Sequence, residues 1–379
     1  MSAAAAPVPP AMPAPRDLRF DTVRGALLLI MAINHVGSDL SRVLDQPLGF
    51  VSAAEGFVFL SGVLSGRLDH VVADPGELRR RAGRRSVRAY ACHAVCLLGV
   101  WLWVRGWMAM DLGRPWALPY LFHEGQGWTG LGSGLALLYQ PGLLDILPMY
   151  VGFPWLVPLV LKWHARGRGL TIWLISGAVW ALDQWISPAH PIVWGPVNTG
   201  AFHFLSWQWL FVTGVLLGAE PRWERRAIHE PRRWMLLAAG AGVLFLWAVR
   251  WSEVPDYWDL ETLERLTQKT PLALLRLLNF GLLAYLLAVC GSWRPGWLSV
   301  RPLAMLGRHS LAVFMASIWC AQIALSFPDV ADSAAGRWVR TGFTAASVML
   351  IGLTCELHAR YRRRQTVGAR RRTGNGMAT

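Results

Sequence analysis

Ionisable and amide side chains interrupt several long apolar runs of this sequence, and the first such run carries the strongest candidate for chemistry. Asn34 and His35 follow eight uninterrupted apolar residues that begin at Ala26. An ionised side chain at bilayer depth costs roughly 2.5–3.5 kcal/mol on insertion scales, so such positions usually have a function. A histidine there can serve as a general base that removes a proton from an attacking hydroxyl. The alternative is a core histidine bonded to a backbone carbonyl.

Two carboxylates are predicted to orient that imidazole. Glu55 lies about two turns inside the second apolar run, and a short connection makes the first two runs antiparallel neighbours. Asp145 lies near the start of the fourth run. A carboxylate that holds the ring and stabilises the imidazolium completes a triad-like set of His35 with Glu55 or Asp145. The alternatives are a structural ion pair for Glu55 and an exposed helix cap for Asp145.

A second group of polar and indole side chains is predicted at a similar depth. Indole faces and amide or acidic groups together suit a sugar ring, because they combine an apolar surface with a few directed polar contacts. We therefore predict an acceptor-binding set composed of Asn34, Asp183, Gln184, Asn198, His203, Trp207 and Gln208.

Cations mark the opposite end of the same helices. Arg24 precedes His35 by 11 residues, about 16 Å along a helix at 1.5 Å per residue. Arg301, Arg308 and His309 are predicted near the same membrane face. Because Arg binds phosphate oxygens in pairs, these four residues are predicted to bind the phosphates of a cytoplasmic coenzyme A thioester. The alternative is a set of arginines that extend to the membrane surface without a ligand.

The elements that carry these residues are predicted to be membrane helices. Of the 379 residues, 54% are hydrophobic and 16% are charged, which is too few charges for a soluble domain of this length. A spanning helix needs about 20 apolar residues. Ten segments meet or nearly meet this length: 22–38, 49–66, 86–104, 142–161, 170–186, 201–218, 234–250, 271–290, 302–324 and 338–357. The predicted fold is an all-α polytopic bundle, with a disordered leader at 1–15, a transmembrane domain at 16–358 and a basic tail at 359–379.

The charge distribution predicts the orientation. In alternate loops, 26 Lys and Arg residues lie on one side of the predicted membrane and 6 on the other. Cytoplasmic loops carry the excess of basic residues, so both termini are predicted to be cytoplasmic. The net charge of +14 comes from these loop clusters and therefore does not indicate a nucleic-acid partner. The stretch from Gly106 to Pro141 is too polar to span, and its segment 130–139 is predicted to lie on the membrane surface.

Several motifs follow one another between residues 16 and 358. They are Arg19-x-Asp21-x-x-Arg24-Gly25 with His35, Gly49-Phe50 with Glu55-Gly56-Phe57-Val58-Phe59-Leu60-Ser61-Gly62, Leu144-Asp145-Ile146-Leu147-Pro148-Met149-Tyr150, Trp207-Gln208-x-Leu210-Phe211-x-x-Gly214, and Leu306-Gly307-Arg308-His309-Ser310-Leu311-x-Val313-Phe314. In this order the motifs resemble the OpgC family, whose members succinylate osmoregulated periplasmic glucans and which is similar to the wider type 3 membrane acyltransferases.

The resemblance implies an enzyme of the bacterial inner membrane. It implies an acyl-CoA donor reached from the cytoplasm, a periplasmic glucan acceptor and an essential His35. It also implies no further cofactor, and no metal site is predicted. Succinyl as the transferred group comes from the resemblance alone, and acetyl remains open. The segment from His203 to Ser206 replaces an Asn-Pro pair expected in the family, which affects the acceptor pocket more than the chemistry.

Two functions of other classes are alternatives to the enzyme. Broken helices with polar groups at mid-membrane also suit a transporter or flippase for a glycan or an organic anion. Inverted repeats would favour that alternative, and the sequence has none that we detect. A receptor or scaffold with an ion-paired core is the third interpretation. Nucleotide-driven pumping has no support, because the sequence lacks a P-loop motif.

Overall fold

The computed structural model of the protein describes residues 17–110, 127–186, 193–194, 197–198, 200–220, 228–252, 260–326 and 333–375. This part of the chain is helical except for one two-residue antiparallel ladder, in which β1 (Val193–Trp194) pairs with β2 (Val197–Asn198). The predicted all-α class is therefore confirmed. The predicted leader at 1–15 lies outside the described residues.

The helices follow one another through short connections. The first seven are α1 (Leu18–Asn34), α2 (Asp39–Leu44), α3 (Ala53–Asp69), α4 (Pro75–Ala109), α5 (Gly127–Leu135), α6 (Ile146–Ala165) and α7 (Gly169–Ile186). The others are α8 (Phe204–Ala219), α9 (Arg233–Trp251), α10 (Leu260–Thr267), α11 (Leu274–Trp293), a 3₁₀ turn (Pro295–Leu298), α12 (Arg301–Arg308), α13 (Ser310–Leu325) and α14 (Ala334–Asn375).

Each of the ten predicted apolar segments overlaps a helix. Within the described ranges, α4, α6, α9, α11 and α14 are long and apolar enough to cross a membrane, and α12 with α13 passes the same test as one span bent by 91°. The chain is thus a membrane protein. Ten spans and cytoplasmic termini stay predictions. The basic tail predicted from residue 359 continues α14 as helix to Asn375.

Glycines bring the helices that carry the site residues into close contact. A methyl group on Gly62 or Gly66 of α3 would collide with the α8 backbone, and one on Gly214 or Gly218 would collide with α3. This reciprocal pattern of small residues four apart lets two helices approach backbone to backbone. The contact fixes α3, which carries Glu55, against α8.

The helix α1 makes a contact of the same kind with α12. A methyl group on Gly25 would overlap the carbonyl of Leu303, and one on Gly307 would overlap the carbonyl of Asp21. The chain bends between α12 and α13 at His309. The start of α1 therefore lies against the cationic end of the broken span.

The short helix α5 lies along the side of α4. Its last residue accepts a hydrogen bond from Tyr90, Gly134 bonds His93, and Gly127 accepts one from Trp101. These partners cover about 16 Å of α4 at 1.5 Å per residue. The segment predicted to lie on the membrane surface is therefore aligned with a spanning helix instead.

Candidate active site

His35 caps the carboxyl end of α1, and its ring has no hydrogen-bond partner among the described residues. Its backbone N–H donates to the Met31 carbonyl at 3.1 Å, while the buried Nδ1 atom is unpartnered. The side-chain oxygen of the adjacent Asn34 is also buried and unpartnered. An unsatisfied buried polar atom costs about 1–3 kcal/mol, so both atoms favour a ligand that bonds them. The alternative of a His35 ring bonded to a backbone carbonyl is not supported.

Glu55 is engaged by an arginine, which corrects the prediction that it orients His35. Its Oε1 accepts from Arg276 Nη1 at 2.6 Å, and its Oε2 accepts from the backbone and hydroxyl of Ser52 at 2.9 and 2.6 Å. Both charged side chains are buried, with 0% of Glu55 and 3% of Arg276 exposed. The structural ion pair considered for Glu55 is therefore what the geometry supports.

Each nitrogen of the Arg276 guanidinium has a protein partner. Its Nε donates to the Thr267 carbonyl at 3.1 Å, and its Nη2 donates to Gln46 Oε1 at 3.4 Å. Together with Glu55, these bonds occupy all three nitrogens of the guanidinium. Arg276 therefore connects α11 with Glu55 on α3 and with Thr267 at the end of α10.

Asp145 is buried, with 8% exposed, so the exposed helix cap is not supported. Its Oδ2 accepts from the backbone N–H of Ala201 at 3.1 Å, which anchors the segment that leads into α8. No hydrogen bond joins Asp145 to His35 among the described residues, and therefore neither predicted carboxylate contacts the ring directly.

Lys269 is a residue that the sequence interpretation missed. Its ammonium lies within electrostatic range of both His35 and Asp145, and Nζ is 5.2 Å from the centroid of the Phe202 ring. The charge distribution includes it only as one of the six basic residues on the less basic side of the predicted membrane. A usable signal was its rarity, because Lys162 and Lys269 are the only lysines among 37 basic residues. Lysine and arginine differ in geometry and hydration, so a lysine in a chain whose other cations are nearly all arginines is a candidate for a specific role.

Part of the predicted acceptor set forms a buried network between α7 and α8. His203 Nδ1 lies 3.5 Å from Asp183 Oδ2, and the Ser206 hydroxyl donates to that same oxygen. Asp183 and His203 are 3% and 5% exposed. The network joins α7 to the start of α8, directly after the segment that Asp145 anchors through Ala201.

Three other members of the acceptor set have structural contacts, and their role in binding the acceptor stays a prediction. Trp207 is fully buried and its Nε1 donates to the Thr270 carbonyl at 3.1 Å. Gln184 donates to the Pro271 carbonyl at 2.5 Å. Both ends of the Gln208 amide are bonded to Ser176. The backbone of Asn198 pairs with Val193, and its side chain lies outside the described residues.

The predicted donor-binding cations divide into two groups. Arg301 and Arg308 line a cavity of about 720 Å³ together with Glu356 and Arg360. The rest of its lining is apolar and comprises Leu18, Pro302, Met305, Met349, Leu350 and Leu353. Three arginines beside an apolar groove suit an anionic ligand with a long organic arm.

Arg24 and His309 connect that cavity to the interior. His309 Nε2 lies 3.1 Å from Glu356 Oε2 on the cavity wall. The next residue, Ser310, accepts a hydrogen bond from Arg24 Nη2 at 2.8 Å. The Arg24 guanidinium in turn lies 5.3 Å from the centroid of the Phe57 ring. Polar contacts thus run from the cavity to α1 and α3.

Comparison with known protein families shows to which family the chain belongs. The sequence matches the family model OpgC_C, described as OpgC protein, over residues 16–363. The chain belongs to the OpgC family. Membership in the OpgC family confirms the resemblance of the motifs and indicates an acyltransferase; with the apolar helices it indicates a membrane protein. In the same comparisons, no curated protein and no solved structure matched the chain.

Metal chemistry has no candidate site in the part of the chain that the structure describes. No group of three or more His, Cys, Asp or Glu side chains there is arranged to hold a metal ion.

Proposed function

We propose that this protein transfers a succinyl group from acyl-CoA on the cytoplasmic side of the bacterial inner membrane to a hydroxyl of a periplasmic glucan. Family membership supports the reaction class. The single observation that carries the chemical assignment is the His35 ring, which has a buried, unpartnered nitrogen and lies within electrostatic range of the Lys269 ammonium.

His35 acts as the general base. It takes the proton of the glucan hydroxyl while the hydroxyl oxygen forms a bond to the thioester carbonyl carbon. The carbon–sulfur bond then breaks, and the imidazolium returns the proton to the departing thiolate. The products are the glucan ester and free coenzyme A. General-base assistance of this kind contributes about 10²–10⁴-fold.

The donor binds in the cavity beside α12. Arg301, Arg308 and Arg360 neutralise its phosphates, and the methionine and leucine side chains of the wall support its organic arm. The contact of Arg24 with Ser310 lies between this cavity and the interior. Arg24 and His35 are on one helix about 16 Å apart, a span that an extended thioester arm must cover.

The acceptor approaches from the other end of α1. Asn34 offers a buried unpartnered oxygen next to His35. The network of Asp183 and His203 supplies further polar groups from α7 and α8. Asp145 acts as a positioning residue, since its bond to Ala201 holds the segment that precedes α8.

A vesicle assay separates transfer from transport. The purified protein is reconstituted into vesicles with periplasmic glucan enclosed and succinyl-CoA outside, and the glucan is analysed by mass spectrometry. We expect succinylated glucan only when both protein and donor are present. Movement of unmodified glucan across the vesicle membrane, with no new ester, would contradict the enzyme and support a transporter.

A further inference from the structure

We propose that Lys269 binds the free carboxylate of the acyl group under transfer and thereby selects a dicarboxylic donor over a monocarboxylic one. The inference rests on the proposed function and adds a specificity-determining residue to it. A succinyl group carries its carboxylate two methylenes from the reacting carbonyl, so a cation that binds this carboxylate must lie close to His35, the general base.

The position of Lys269 satisfies that requirement. Its ammonium is within electrostatic range of the His35 ring. The Phe202 ring lies 5.2 Å from Nζ, and the residue before Phe202 donates its backbone N–H to Asp145. The lysine therefore lies against the segment that leads into α8, with the Phe202 ring as one wall of its surroundings.

The turn that carries Lys269 is held by side chains from two helices. The Thr270 carbonyl accepts from Trp207 at 3.1 Å and from the His203 backbone at 3.3 Å. The carbonyls of Pro271 and Leu272 accept from Gln184 and Trp180 at 2.5 and 3.0 Å. Four donors to three successive carbonyls fix the backbone. A fixed backbone holds the cation in one place before the ligand binds, so less conformational entropy of the protein is lost on binding.

The same turn is strained. Leu272 is fully buried with φ +51°, in the left-handed region that side chains disfavour. Gln46, which contacts Arg276, and Leu143, two residues before Asp145, have φ +56° and +71°. Three of the four non-glycine residues with positive φ in the described chain thus adjoin this site. Such strain costs about 1–3 kcal/mol and concentrates at functional sites.

The contacts of the two cations separate Lys269, which is half-buried, from Arg276, which is buried. The Arg276 guanidinium is bonded on all three nitrogens and pairs with Glu55. Lys269 has no described carboxylate within 4 Å, and Asp145 reaches it only at longer range. An ammonium without a close counter-ion among the described residues, within electrostatic range of an unpartnered imidazole, fits an anionic ligand group better than a guanidinium that is already paired with Glu55.

The test compares two donors in the vesicle assay. Lys269→Gln is assayed with succinyl-CoA and with acetyl-CoA, alongside Lys269→Arg. The matched control is Arg265→Gln, because Arg265 is exposed on α10 and pairs with the exposed Glu261. We expect Lys269→Gln to lower kcat/KM for the succinyl donor about 10- to 100-fold, as for a lost charge-assisted hydrogen bond. Acetyl transfer should change less than about threefold, Lys269→Arg should recover part of the succinyl activity, and the control should match the wild type.

Each other outcome identifies what has failed. An equal fall for both donors would mean that Lys269 supports the fold or the charge on Asp145, and it would overturn the specificity assignment. An unchanged ratio of the kcat/KM values for the two donors would overturn the specificity assignment as well. So would a wild type that transfers acetyl and no succinyl. A wild type that transfers neither group would contradict the proposed function itself. Retained acetyl transfer in Lys269→Gln shows that the variant is folded.

Discussion

At the scale of single residues, the main correction concerns the partner of Glu55. The sequence placed Glu55 at the depth of His35 and left a structural ion pair open, but Arg276 is 221 positions away along the chain. Local spacing predicts which side chains share a helix face and cannot predict which distant helix supplies a counter-ion. His35 could be identified as a candidate from the sequence, because its position directly after an uninterrupted apolar run is a local feature. The structure places it at the end of that helix.

The buried ion pair yields a stability prediction. Removing one partner of such a pair leaves an uncompensated charge and costs about 3–5 kcal/mol, whereas apolar replacement of both is often close to neutral. We therefore expect Arg276→Met to lower the thermal stability of the purified protein and Glu55→Leu in the same chain to restore much of it.

The exposed pair of Arg265 and Glu261 provides the control for this cycle, since its replacement should leave the melting temperature unchanged. If Arg276→Met is as stable as the wild type while acyl transfer is lost, the guanidinium acts on substrate, and the structural assignment of the pair is wrong.

At the scale of elements, the ten apolar segments predicted the main helices because length and apolarity are properties of each segment alone. The short helix α2, the alignment of α5 with α4 and the 91° bend at His309 did not follow from those properties. Each of them depends on contacts with another element. The glycines of α3 form a close contact with α8, and the sequence alone does not identify α8 as the partner.

The close packing of α3 and α8 yields a second prediction. Gly62→Ala forces the two helices apart, so we expect it to destabilise the protein by about 1–3 kcal/mol, in the range of overpacked cores. Gly240→Ala is the matched control, because Gly240 is also helical and faces open space. Alanine is the better helix former, so the control should be neutral or slightly stabilising.

Thermal unfolding of the two variants in the same detergent measures the difference. Equal melting temperatures would show that α3 and α8 are not in backbone contact in the membrane.

The broken span yields a kinetic prediction. Arg301→Ala and Arg308→Ala each remove one cavity cation, so we expect a higher KM for acyl-CoA with little change in kcat. Loss of one charge-assisted bond corresponds to about a 10- to 100-fold rise. Arg294→Ala, outside the cavity and beside Trp297, is the control and should leave KM unaltered. A KM unchanged by both cavity variants would place the donor elsewhere.

At the scale of the whole molecule, the proposal requires two ligands to meet from opposite membrane faces. The arginine cavity lies at one end of α1, where Leu18 forms part of its wall, and His35 lies at the other end. The contacts of Glu356 with His309 and of Ser310 with Arg24 lie on the side of the cavity. The distribution of basic residues predicts that the cavity end of α1 is cytoplasmic, and this orientation stays a prediction. The close contacts that define each end came only from the fold.

The most direct test of this account is acyl transfer by His35→Ala in the vesicle assay, compared with His164→Ala. His164 lies near the end of α6, away from the proposed site, and is partly exposed. We expect His35→Ala to insert and purify like the wild type and to lose at least about 10²-fold in kcat, as for a missing general base, while His164→Ala stays fully active. Succinylation by His35→Ala at the wild-type rate would contradict the central claim.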